Sequence, residues 1–127
     1  MYRRGRWFAT LLLLLMLALV GCSSGGGGDQ KSIAGDPVKG KALFAGSCAA
    51  CHGPDAKGLP NLGKDLTTST FVKSQSDQQL LEFILKGRAP GEPGNSTGVA
   101  MPPKGGNPAM TNKDLADVIT YIRSINH

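Results

Sequence analysis

The chain is short of the ligands that build most metal centres. It has three cysteines and two histidines in 127 residues. A structural zinc site needs about four such ligands. Beside Cys48 and Cys51 only His52 and the terminal His127 remain, with no second cysteine pair. No βαβ pattern surrounds Cys48 and Cys51, so a thioredoxin-like use of the pair lacks its setting. The chain has no convincing strand and no internal repeat. Nor does it carry the charge excess of a nucleic-acid binder. The formal net charge is +5, but Arg3, Arg4 and Arg6 lie in a leader-like segment; without them 11 Lys and Arg face 9 Asp and Glu, a balance of +2. That excludes a basic protein seeking nucleic acid.

The leader is legible. Three arginines within Met1–Arg6 precede an apolar run from Trp7 to Val20, broken only by Thr10. The run is shorter than the ~20 residues of a spanning helix and reads as a signal peptide over residues 1–21. It ends Leu19-Val20-Gly21-Cys22, which resembles the lipobox of bacterial lipoproteins. That resemblance implies lipidation of Cys22 as the first mature residue. An ordinary secretory signal or an uncleaved anchor is the alternative. Residues 22–35, with four consecutive glycines, cannot build a core and read as a flexible tether of about 20 Å average reach.

Residues 36–127 form the folded domain. Asp36-Pro37 starts a helix, an acidic cap followed by proline where no N–H is needed. Gly40, Leu43 and Phe44 share one face, predicting helix from Pro37 to about Ala49. Gly40 weakens that helix by roughly 1 kcal/mol relative to Ala, which points to a close crossing by another helix. Ser76 with Gln79 makes a capping box, and Gly87 stops the helix it opens. Thr111 and Asp114 cap a third helix, Asn112 to about Ser124, with Leu115, Val118, Ile119 and Ile122 at i, i+3, i+4 and i+7. Met110 and Leu115 fit a hydrophobic staple. Between these lie two Gly- and Pro-rich loops, Gly53–Lys73 and Ala89–Ala100. Loops that long in so small a domain make sense when wrapped around a cofactor. About 90 residues with few large apolar side chains also make a marginal core unless something is added to it.

Cys48-Ala49-Ala50-Cys51-His52 has the form C-x-x-C-H, the attachment signature of c-type haem. Two thiols at this spacing can add across the two vinyl groups of one ring edge, and the next residue is then placed to ligate the iron. A simple disulfide is the rival reading for an exported protein.

Over about Asp36 to Ile125 the chain resembles a monohaem class I cytochrome c of lipoprotein form. The resemblance rests on CAACHG, on LPNLG at Leu59–Gly63, on GVAMPPKGGNPAMT and on DVITYIRSI. It implies an all-α, cytochrome c-like fold with three main helices and long loops around one covalent haem c. It implies that the first and last helices cross beside the haem, with Gly40, Phe44 and Tyr121 at the crossing. It implies that the carbonyl of Pro60 accepts a bond from the second ring nitrogen of His52, orienting the proximal ligand.

The sixth ligand is chosen between Met101 and Met110, since Met1 and Met16 lie in the signal, with an open or His-ligated position as the remaining alternative. Met101 precedes two prolines, which bias it to extended backbone and stiffen the segment after it. The resemblance also puts the ligand at the M-P-P position. Met110 has a sufficient role in the staple. His127 is read as a frayed end.

His52 and Met101 as iron ligands imply a single-electron carrier, not an enzyme, because a thioether raises the reduction potential and fills the sixth position. A haem enzyme or gas sensor with a labile sixth ligand is the alternative. Expected partners are a quinol-oxidising complex, a terminal oxidase or a periplasmic reductase. The expected place is the bacterial cell envelope, on the periplasmic or outer face of a membrane. Arg88 and Lys104 are candidates to neutralise haem propionates, and Asn107 to hydrogen-bond in the same loop. Lys57, Lys64 and Lys73 are candidates to surround the exposed edge.

Overall fold

The computed structural model describes residues 33–127. The expected signal peptide over residues 1–21, the lipidated Cys22 and most of the tether lie outside the described residues. Within them run five helices: α1 (Pro37–Ser47), α2 (Ala49–His52), α3 (Thr70–Ser74), α4 (Asp77–Lys86) and α5 (Asn112–Ile125), with a 3-10 turn at Pro103–Gly106. Among the described residues there is no strand, only two isolated antiparallel bridges, Leu59 with Gly63 and Arg88 with Met101. None of these helices is long and apolar enough to cross a membrane.

The caps are those the sequence predicts. The Asp36 carboxylate accepts from the N–H groups of Val38 and Lys39, at 2.8 and 3.2 Å. Ser76 with Gln79, and Thr111 with Asp114, close reciprocal capping boxes on α4 and α5. Gly87, at φ +74°, ends α4; a Cβ there would also overlap the Met101 carbonyl.

Three details differ from expectation. The first helix stops at Ser47, and the Cys48 carbonyl starts a new turn by accepting from both Cys51 N–H (3.1 Å) and His52 N–H (2.9 Å). Helix α3 interrupts a stretch read as loop. It is too short to show periodicity, and its start is marked only by the Ser69 hydroxyl accepting from Val72 N–H. The C-terminus is tied down: His127 N–H donates to the Thr67 carbonyl (2.9 Å), and Asn126 donates to the Leu66 carbonyl.

Helices α1 and α5 cross at closest approach where Gly40 meets Asp117. A Cβ on Gly40 would overlap the Asp117 carbonyl and reach Tyr121 Cβ. Beside this point the rings of Phe44 and Tyr121 pack with centroids 5.5 Å apart, tilted by 60°. Asp117, wholly buried, ties the crossing electrostatically. Its Oδ1 accepts from Asp36 N–H and from Lys113 Nζ, both at 2.8 Å, while Lys39 Nζ lies 3.4 Å from Oδ2 and 3.0 Å from Asp114. On another face of α5, Arg123 donates to Asp77 and to the carbonyls of Val72 and Gln75, joining α3, α4 and α5.

Gly40→Ala gains helix propensity but forces two backbones apart. The balance is a destabilisation of about 1–3 kcal/mol, read from the urea unfolding midpoint. The Lys113 hydrogen bond, then the Asp36 N–H, hold the Asp117 carboxyl below the usual carboxylate range. A depressed folded pKa contributes stability above the unfolded value of about 3.9, lost as pH falls through the folded one. Urea titrations at decreasing pH should therefore show stability falling below about pH 4. Asp117→Asn should be less stable at neutral pH and less acid-sensitive; Asp65 and Asp114, also depressed, supply the remaining slope.

Candidate cofactor site

Helices α1, α4 and α5 and both long loops enclose a cavity of about 870 Å³. That lies within the roughly 300–1,000 Å³ range of small-molecule and cofactor sites. Its walls are largely apolar, with Phe44, Leu80, Phe83, Ile84, Leu115 and Val118 among them. Cys48, Cys51, His52 and Met101 all line it.

The turn of α2 sets the first three. No disulfide joins Cys48 and Cys51. Burial, with a smaller contribution from Cys51, pushes the Cys48 thiol up to about 11. It is therefore a neutral thiol at neutral pH. His52 Nδ1 lies 2.8 Å from the Lys64 carbonyl. A carbonyl only accepts, so Nδ1 carries the proton and the ring's lone pair is left on Nε2, the tautomer suited to a metal.

That bond corrects the expectation for Pro60. The loop from Leu59 to Gly63 closes on itself, with Leu59 N–H on the Gly63 carbonyl (3.1 Å) and Asn61 left-handed at φ +57°. Pro60 rides at the exposed tip, outside the cavity lining. Gly63 instead presses on the Cys51 carbonyl with no room for a Cβ, and this delivers the next carbonyl, that of Lys64, to His52.

The two methionines separate cleanly. Met110 is 3% exposed, belongs to the core and does not line the cavity. Met101 is half-buried in the lining, and its backbone is clasped by Arg88 through two hydrogen bonds of 2.9 Å. The 3-10 turn after it brings Gly105 against Ser47 and Cys48, and Asn107 donates to the Ser47 hydroxyl (3.1 Å). The loop bearing Met101 is thus buttoned onto the end of α1.

The other candidates part company. Lys104 lines the cavity, but its ammonium donates to the carbonyls of Met110 (2.8 Å) and Pro108 (3.3 Å) and so braces its own loop. The Arg88 guanidinium lies 4.6 Å from the Phe83 ring centroid and 5.0 Å from that of Phe71. Lys64 borders the cavity, whereas Lys57 and Lys73 do not. Sequence reasoning missed the Lys64 carbonyl, because a main-chain acceptor leaves no mark in residue type. It also missed Asn95, which lines the cavity; the pattern Asn-Ser-Thr-Gly is an Asx-turn signal that could have found it.

The family model described as Cytochrome c matches residues 37–126. The chain is 35% identical over 89 residues to cytochrome c-555 of Prosthecochloris aestuarii, covering 68% of this chain and 85% of that protein. It is 30% identical over 91 residues to cytochrome c-555 of Chlorobaculum tepidum, covering 72% and 78%. It is also 40% identical over 55 residues to the cbb3-type cytochrome c oxidase subunit FixP of Bradyrhizobium sp. (strain ORS 278), which is 42% of this chain but only 19% of that subunit. No solved structure matches. The family model spans nearly all of the described residues, over the same segment that folds around the cavity, and the chain therefore belongs to the cytochrome c family, whose cofactor is covalently bound haem c.

Proposed function

We propose that this chain is a membrane-tethered, one-electron carrier in a respiratory or related chain, with its haem iron ligated by His52 and Met101. The observation that carries the reading is the convergence of two free thiols, an oriented imidazole and a clasped thioether on one apolar cavity. The residues fit the group. Cys48 and Cys51 would hold the ring by thioethers, and His52 offers Nε2 because Lys64 takes Nδ1. When bound, haem supplies an iron centre that exchanges one electron at a time between two oxidation states.

The chain's own side chains set the surroundings of that centre. Lys64 raises the basicity of His52 through the Nδ1 bond. Met101 is a soft donor that favours the reduced metal and raises the reduction potential. Leu80, Ile84, Leu115 and Val118 keep water from the cavity, which disfavours the extra charge of the oxidised state. With His52 and Met101 both bound, the iron would have no open position for catalysis on dioxygen or peroxide.

The tether and partners are part of the same reading. Lipid on Cys22 would hold the domain at the periplasmic or outer face of a membrane, where a short flexible link raises its effective concentration near neighbouring complexes. The kinship with FixP favours a terminal oxidase among the partners, with a quinol-oxidising complex or periplasmic reductase as the others. Lys64 at the cavity border and the exposed Lys57 and Lys73 would steer an acidic redox surface.

The test is Met101→Ala on the mature, haem-loaded chain. The alkaline pyridine spectrum should report the same covalent haem content as wild type. The far-red charge-transfer band of a thioether bound to ferric iron should vanish, the reduction potential should fall, and carbon monoxide should bind quickly. Met110→Ala should keep the band. Rapid carbon monoxide binding by the unaltered protein would instead mark a haem sensor or enzyme. Labelled palmitate should enter the wild type and not Cys22→Ala, read after gel separation; an unlabelled wild type would remove the lipid anchor from the scheme.

A further inference from the structure

Between Arg88 and Met101 the chain makes a closed excursion. The residues from Ala89 to Ala100 leave and return through the pair of 2.9 Å backbone bonds that join Arg88 to Met101. The excursion contains Pro90, Gly91, Pro93, Gly94 and Gly98 and no helix or strand. A segment of that composition has no regular hydrogen-bonding pattern to hold one shape. Yet Pro93, Gly94, Asn95, Ser96, Thr97 and Val99 form part of the cavity wall.

One side chain closes it. Asn95 Nδ2 donates to the Ala89 carbonyl (3.0 Å) and to the Val99 carbonyl (2.8 Å). Asn95 Oδ1 accepts from the N–H groups of Thr97 (3.2 Å) and Gly98 (2.9 Å). Ala89 comes directly after Arg88, and Val99 stands two residues before Met101. The amide therefore continues, across the mouth of the loop, the pairing that Arg88 and Met101 begin. A primary carboxamide can donate twice and accept twice at once, which a carboxylate or a hydroxyl cannot.

We propose that Asn95 is a positioning residue for Met101: by pinning both ends of the loop with one amide, it keeps the thioether in the cavity and the loop in place as the cavity wall. The proposal rests on Met101 as the iron's sixth ligand. Without the two donated bonds the loop mouth is held by Arg88 alone. The sulfur then leaves the iron more often, and an external ligand can take its place.

The experiment compares the haem-loaded wild type with Asn95→Asp and Asn95→Ala. Asn95→Asp keeps the acceptor half of the turn and loses the donors; Asn95→Ala loses both. Imidazole is titrated into the ferric proteins and read by absorbance, beside the far-red band, the reduction potential and the urea unfolding midpoint. Each hydrogen bond is worth a factor of roughly two to ten, so apparent imidazole affinity should rise about tenfold in both variants. The potential should fall and the far-red band weaken, and the unfolding midpoint should fall no further than that same factor in stability requires. A merely structural role would shift the unfolding midpoint and leave imidazole affinity at the wild-type value, and that result overturns the proposal. Met101→Ala in the same series separates the two failures. If it abolishes the far-red band while both Asn95 variants bind imidazole as wild type does, only the role of Asn95 falls. If it retains the band, the ligand assignment falls and the role of Asn95 with it.

Discussion

The contact of Gly40 with the Asp117 carbonyl is the constraint on which the rest is built. Because no side chain stands between them, α1 and α5 meet backbone to backbone. This seats Phe44 against Tyr121 and points the end of α1, with Cys48, at the cavity walled by Leu115, Val118 and Ile119 of α5. A wider crossing would move the thiols relative to every other cavity wall. Burying an ionised Asp117 at the same place fits this logic. A buried carboxylate is tolerated when it is paired and hydrogen-bonded, and its partners come from the segment before α1, from α1 itself and from α5. The pairing therefore holds only in this arrangement of the two helices.

Around that frame the segments that carry His52 and Met101 are fastened by main-chain groups more than by side chains. His52 is oriented by the Lys64 carbonyl, brought close because Gly63 packs on Cys51. Met101 is clasped by the backbone of Arg88, under the end of a helix that Gly87 stops. The Asn107 bond to Ser47 and the Lys104 braces join the loop after Met101 to the helix that presents Cys48. Both sides of the cavity are thus referenced to the same few turns of α1 and α2. A carrier benefits from this stiffness. Little movement of these segments on gaining or losing an electron means little reorganisation for each transfer.

The division of cations obeys the same plan. Five of the ten Lys and Arg among the described residues are committed to the fold: Lys39 and Lys113 to the crossing, Arg123 to the junction of α3, α4 and α5, Lys86 to Glu92, and Lys104 to carbonyls. Arg88 is stacked on two aromatic rings. Lys64 stands at the cavity border while its carbonyl serves His52. One residue thus belongs to the site through its main chain and leaves its side chain to the border.

Residue type and spacing determined the attachment motif at Cys48, Cys51 and His52, the three long helices and their caps, and the need for glycine at position 40. Each of these is local: a capping box, a helical period or a thiol spacing is complete within a few residues, so it can be read from them. Tertiary structure decided what depends on where a backbone is carried. The carbonyl that orients His52 belongs to Lys64 and not to Pro60, because the Leu59–Gly63 turn swings proline to its tip. The break at Cys48, the short α3, the fastened C-terminus and the amide of Asn95 across its loop depend likewise on carbonyls and N–H groups. Every residue but proline carries both groups, so the sequence holds no sign of which ones will meet.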